Sequence, residues 1–166
     1  WVTAGFFDVL GVQPIVGRTF HPSDDQRRAN LVVLSEPFWR QRFGADPTIV
    51  GRPIQLDGAA YTVVGVVPRD FQLLGRTSTW ALMSFGGARV PRMRTLNFLH
   101  VIGRMKPGVT LSSAQSDIDG VAARLARDFP ATNAGRRVAL EPLHDALVGR
   151  ELRLTSLLLV GVVGFV

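Results

Sequence analysis

Three histidines, His21, His100 and His144, are the residues best suited to hold a metal or move a proton. No two of them stand at a ligand spacing such as i,i+4, and no carboxylate cluster lies beside them at helical distance. His100 alternates within an apolar run and reads as a satisfied or edge histidine. Asp117 and Asp119 are two apart on a helical stretch, so they point to different faces and form no general acid/base pair. Ser23, Asp24 and Asp25 read as cap and turn residues of a solvated loop, not as an acidic catalytic pair. Ser35, Ser112 and Ser113 read as helix caps, not nucleophiles. The absence of cysteine removes disulfides, thiolate catalysis and cysteine-ligated zinc together. None of G-x-S-x-G, G-x-x-x-x-G-K or G-x-G-x-x-G occurs, and the two glycines of "GGARVPRMRT" fall short of a phosphate-binding fingerprint. No catalytic, cofactor-binding or metal-binding residue is assigned, and no cofactor is expected.

The bulk properties agree with a folded, non-catalytic domain. At 46% hydrophobic and 19% charged the 166 residues are globular in character. The formal net charge is +6, and of the 19 basic residues only Lys106 is lysine. The arginines scatter along the chain without a block of like charge, and the aromatic residues sit beside apolar neighbours. Nucleic-acid binding is therefore not expected. A solvated, arginine-rich surface accounts for the charge, with a phosphate- or anionic-lipid-binding face as the alternative. Lack of cysteine suits both a reducing and an oxidising compartment. The opening "WVTAGFFDVL" has neither a charged n-region nor an initiator Met, so it reads as an internal stretch of a longer protein and not as a signal peptide.

The elements that would position these residues follow from local patterns. A turn or short helix is expected near Phe6–Leu10. Leu31 to Leu34 is a short buried strand. Ser35 caps a helix with Pro37 in its first turn, and Gly44 closes it in the left-handed conformation. Asp57–Gly58 is a type I′ pair joining two β-rich runs. Ile54 and Leu56 share one face of the first run. The second run, Tyr61 to Val67, is almost wholly apolar, which predicts cover on both faces. Trp80–Met83 is a candidate short strand. Phe98 to Met105 predicts a strand, Thr110 or Ser112 caps a helix reaching about Asp128, and "RRVALEPL" predicts a further strand. Ala114, Ile118, Val121, Ala122, Leu125 and Phe129 form one helical face. Gly120 within that helix predicts close packing. The order strand, helix, strand implies an α+β layer.

Three stretches together carry a family resemblance: "VTAGFFDVLGVQPIVGRTFHPSDD", "VVLSEPFWRQRFGADPTIVGRPIQLDGAAYTVVGVVP" and "HVIGRMKPGVTLSSAQSDIDGVAARLARDFP". They resemble the MacB-like periplasmic core domain of ABC-transporter permeases of the FtsX/MacB type, nearest the macrolide-exporter-like orphan group. Between Gly75 and Leu96 the family pattern reduces to Trp80 and Leu82. The resemblance implies a two-lobed α+β fragment. Residues 1–95 would form the small α/β lobe, and 96–149 the porter-like strand–helix–strand part, whose sheet would lack a strand or two. Residues 150–166 would begin a transmembrane helix.

That implication meets the end of the chain, "RELRLTSLLLVGVVGFV". Leu147–Val148–Gly149 resembles the family's passage into its second membrane helix. Leu154 to Val166 supplies about two thirds of the roughly 20 apolar residues a span needs. Leu157, Leu158, Leu159, Val160, Val162, Val163, Phe165 and Val166 are the residues assigned to the membrane. Arg150 and Arg153 flank this run, an end the positive-inside rule would place in the cytoplasm.

The resemblance implies a non-catalytic extracytoplasmic domain at the bacterial inner membrane, coupling cytoplasmic ATP hydrolysis to substrate export or handover. Its partners would be an ABC ATPase subunit or domain, a second permease copy in a homodimer, and membrane lipid at the C-terminal end. The alternative is an FtsX-like signalling or scaffold module that binds a periplasmic partner protein, which an exposed apolar patch would favour. A hydrolase would need convergent polar groups in a pocket, and the sequence shows none.

Overall fold

The computed structural model describes residues 1–26, 29–71, 73, 77–83 and 99–148. The chain divides into an N-terminal unit, Trp1–Met93, and a C-terminal unit, Arg94–Val166.

The N-terminal unit is built on two strands that bury every side chain they carry inward. Strand β2 (Leu31–Ser35) is buried at all five positions. It runs parallel to β4 (Ala59–Val67) and antiparallel to β5 (Thr79–Ala81). On the far edge of β4 lie β3 (Pro53–Leu56) and the two-residue β1 (Val16–Gly17), both antiparallel and one after the other along its length. Asp57 and Gly58 turn β3 into β4 with φ of 49° and 79°, the positive pair a type I′ hairpin requires. Ile54 and Leu56 are half-buried while Pro53 and Gln55 are exposed, as the alternation predicts.

Helix α1 (Phe6–Leu10) delivers Phe7 to one face of the sheet, where it meets Phe20, Leu31, Val33, Val64, Val67, Trp80 and Leu82. On the other face α3 (Glu36–Phe43) delivers Trp39 to Val32, Leu34, Ile49, Val63 and Val66. Both ends of α3 follow from sequence. Ser35 Oγ accepts the Phe38 N–H at 3.4 Å, and Gly44 closes the helix at φ 60°. A 3-10 turn at Pro47–Ile49 follows, and Asp46 holds it by accepting the Thr48 N–H at 2.8 Å. The Asp46 carbonyl also accepts the Trp39 indole N–H at 2.9 Å, satisfying the one polar atom of that buried ring.

A bulge aligns the two faces. Val32 pairs with Val63, but Val33 pairs with Gly65, so β4 carries one extra residue. Val63 and Val66 therefore face the Trp39 side, and Val64 and Val67 the Phe7 side, although three residues separate each pair. Strict alternation would place residues three apart on opposite faces. The glycine at this point is also required sterically. A Cβ on Gly65 would strike the carbonyl of Arg18 and lie 2.9 Å from that residue's backbone nitrogen.

The C-terminal unit centres on α4 (Leu111–Asp128). Thr110 caps it, its side chain accepting the Ser113 N–H at 3.1 Å. Phe129 ends α4 and leads into the short α5 (Pro130–Asn133), and α6 (Leu143–Val148) follows later. The described residues of this unit contain no strand. Two expectations are corrected here. Residues 99–105 and 136–143 carry strand-like sequence but form no ladder, and Val101 is 89% exposed. A strand exists only where a neighbour takes its N–H and C=O groups. Among the described residues neither run has a hydrogen-bonded partner strand. Gly120 is corrected as well: it is exposed, and among the described residues no atom outside its own stretch of helix backbone lies within 4 Å of a Cβ built there, so it marks no close packing. The Phe98 end of the first run and the assigned membrane residues lie outside the described residues.

Candidate functional site

The residues with chemical potential are dispersed. His100, His144, Asp117, Asp119, Ser112 and Ser113 are exposed. His144 Nδ1 stands 3.5 Å from its chain neighbour Asp145, and Ser35 is occupied as a cap. Among the described residues no three of His, Cys, Asp or Glu come together as a metal site.

One charged group was misjudged from sequence. Asp24 is a buried residue of a short helix, α2 (Pro22–Gln26), and not part of a solvated loop. Arg18 grips it bidentately, Nη1 donating to Oδ2 at 2.6 Å and Nη2 to Oδ1 at 3.0 Å. The His21 backbone N–H donates to Oδ2 at 2.8 Å, while His21 Nδ1 accepts the Ser23 N–H at 3.2 Å. This is a variant of the capping box: His21 in the cap position accepts the N–H of the second helical residue, Pro22 stands first, and Asp24, third, reaches back to the cap N–H. The signal was present in "HPSD", where proline stands one place after a residue able to cap.

The Arg18 hydrogen bonds are the main cause that holds the Asp24 carboxyl below its ordinary value of 3.8; burial opposes them and the His21 N–H assists. A depressed carboxylate adds stability that is complete above the unfolded pKa and fades as pH falls through the folded one. The Arg18 side chain is half exposed, so solvent screens the pair. Asp24→Asn is expected to cost about 1–2 kcal/mol at pH 7. It should cost less in strong acid, once pH has fallen from 3.8 through the depressed folded value, as urea unfolding at the two conditions would read. An equal cost at both would assign the effect to packing.

What the C-terminal unit offers instead is surface. No residue of α4 is buried. Along its apolar face Ala114, Ile118 and Ala122 are half-buried, while Val121, Leu125 and Phe129 remain 43%, 37% and 38% exposed. Leu99, Val101 and Met105 ahead of the helix and Val138 behind it are exposed too. An amphipathic helix normally hides such a stripe. This apolar stripe is the candidate functional surface, and among the described residues no metal-type cluster of His, Asp or Glu adjoins it.

Comparison with known proteins gives this geometry a family. Curated relatives include the macrolide export ATP-binding/permease protein MacB of Burkholderia thailandensis, 28% identical over 116 residues, which are 68% of this chain and 18% of that protein. The protein of the same name in Salmonella typhi is 28% identical over 120 residues, 70% of this chain and 18% of that one. The chain thus spans less than a fifth of the length of these relatives. Among solved structures, the periplasmic region of MacB from Actinobacillus actinomycetemcomitans superposes with a TM-score of 0.47 at 15% identity, over 79% of this chain and 56% of that one. A domain of a putative permease protein from Porphyromonas gingivalis gives 0.43 at 20% identity, over 73% of this chain and 56% of that one. The family model of the MacB-like periplasmic core domain matches residues 1–121. The chain therefore belongs to the MacB-like periplasmic core domain family.

Proposed function

We propose that this chain is the extracytoplasmic part of an ABC-type permease at the bacterial inner membrane. It would couple cytoplasmic ATP hydrolysis to export or handover of a substrate in the periplasm. The observation that carries this is the family match over residues 1–121, together with relatives named as ATP-binding/permease proteins. The physical design is compatible with it. An N-terminal unit buried on both faces of its sheet moves as a rigid body, so it needs no catalytic side chain to transmit motion. Residues 1–95 would then be the small lobe, 96–149 the porter-like part and 150–166 the start of a membrane helix. Among the described residues no helix is long and apolar enough to cross a membrane. The run from Leu157 to Val166 lies outside them. An ABC ATPase subunit or domain, a second permease copy and membrane lipid are the partners this role calls for.

A reporter enzyme active only outside the cytoplasm, fused after Val148 in the whole protein, is expected to be active. Deleting the domain is expected to abolish export while ATP hydrolysis continues. A reporter active only on the cytoplasmic side would overturn the assignment.

A second role, that of an FtsX-like module regulating a periplasmic protein, is favoured by the exposed stripe on α4. The two differ in one result. For the regulator, Val121→Asp and Leu125→Asp in the whole protein abolish partner binding, and no substrate moves in vesicles in either the variant or the parent.

A further inference from the structure

Gln115 lies near the start of α4 and is half-buried. Its Nε2 donates to the Val138 carbonyl at 2.7 Å and to Asp119 Oδ1, one helical turn on, at 2.9 Å. Its Oε1 accepts the Leu140 N–H at 2.8 Å. Both amide hydrogens and the carbonyl oxygen are thus in use. The carbonyl of one residue and the N–H two residues later are the pair that a neighbouring parallel strand takes from an extended segment. Here one side-chain amide takes that pair, on a segment whose sequence is strand-like but which has no ladder.

The held segment leads directly into α6. Leu140 is followed by Glu141 and Pro142, and the Pro142 carbonyl accepts the N–H groups of Asp145 and Ala146 in the first turn of α6. Displacement of α6 therefore pulls on the segment that the Gln115 bonds hold.

We infer that Gln115 is a releasable latch, closed in this structure, that ties the segment entering α6 to α4 and opens when α6 is displaced. Side-chain bonds at a surface suit release. Val138 is 48% exposed, so water can take over its carbonyl as the amide leaves. A β-ladder would instead have to give up several bonds together. The latch rests on the proposed function in one respect, that α6 leads toward the membrane segment through which motion arrives.

The test is hydrogen exchange read by mass spectrometry on the whole protein in detergent with its ATPase. It is run without nucleotide and with a non-hydrolysable ATP analogue and magnesium. Gln115→Ala is expected to raise exchange over 138–142 about tenfold, with peptides inside 111–128 unchanged. Gln115→Glu turns the donor into an acceptor facing the Val138 carbonyl and Asp119, and should give the same rise. In the parent protein the analogue is expected to raise exchange over 138–142, and in Gln115→Ala to add nothing further.

The latch is overturned if Gln115→Ala leaves 138–142 unchanged. It is equally overturned if exchange rises uniformly over 111–148, because Gln115 would then be a general brace. A nucleotide response elsewhere in 99–148 that spares 138–142 rejects it as well. If nucleotide changes nothing anywhere, it is the permease assignment that fails, and the Gln115→Ala comparison alone decides whether the latch exists.

Discussion

Phe7→Ala is expected to lower the melting temperature of the N-terminal unit by roughly 15 °C or more. Phe7 is fully buried and sits at the hub of an aromatic cluster. Its ring centre lies 5.2 Å from that of Phe6, 5.8 Å from those of Phe20 and Phe71, and 5.9 Å from that of Trp80. Truncating a buried phenylalanine costs about 3–5 kcal/mol, because the cavity adds to the lost transfer energy. The cost here belongs at the upper end. Four aromatic rings cannot all close on one hole, and edge-to-face contacts such as that with Trp80 are lost as well. A domain has only about 5–15 kcal/mol in hand. The measurement is simple, because all three tryptophans, Trp1, Trp39 and Trp80, belong to this unit, so thermal unfolding followed by tryptophan fluorescence reports it alone. Val101→Ala, at an 89% exposed position of the other unit, serves as the control and should shift nothing by that probe. A fall of less than about 5 °C for Phe7→Ala would place the core elsewhere.

Gly65→Ala is expected to be a strongly damaging single-methyl change, at about 3 kcal/mol or more. Its Cβ would meet backbone atoms of Arg18, and backbone cannot rotate aside as a side chain does. The collision forces β1 off β4, since Arg18 donates its N–H to the Val64 carbonyl at 2.9 Å beside the Gly17–Gly65 pair. Gly120→Ala should do the opposite. That glycine lies inside α4 with open space around it, so alanine adds up to about 1 kcal/mol of helix stability and no clash. Chemical unfolding followed by tryptophan fluorescence for Gly65 and by circular dichroism for Gly120 separates the two. Equal effects of the same sign would show that helix propensity and packing are not what distinguishes these positions.

Much of the local structure was legible because its causes are local. The ends of α3 were readable in Ser35, Pro37 and Gly44, the hairpin in Asp57–Gly58, and the start of α4 in Thr110 or Ser112, of which Thr110 is the cap. In each case a single residue's side chain or permitted φ angle determines the geometry. The family resemblance was legible for a related reason: its motifs are runs of such local signals in a set order. The capping box of α2 was equally local and was missed. Its cap is a histidine, and the carboxylates of "SDD" suggested solvent.

By itself, then, the sequence determined where α3 and α4 begin and end, the turn at Asp57–Gly58, and the family that the chain resembles. Tertiary structure decided whatever depends on a distant partner. The bulge at Val64–Gly65 shows only in the pairing of β4 with β2, and the lone glycine of "TVVGVV" is its one local sign. The burial of Asp24 depends on Arg18 arriving across six residues, and the need for glycine at position 65 on the backbone of residue 18. The strand-like runs at 99–105 and 136–143 make the same point in reverse. Alternating apolar residues give a chain the capacity to be a strand, but the hydrogen-bonded neighbour that makes it one must come from elsewhere in space. Among the described residues, the side-chain amide of Gln115 does so over 138–140, because a glutamine can offer what an adjacent strand would.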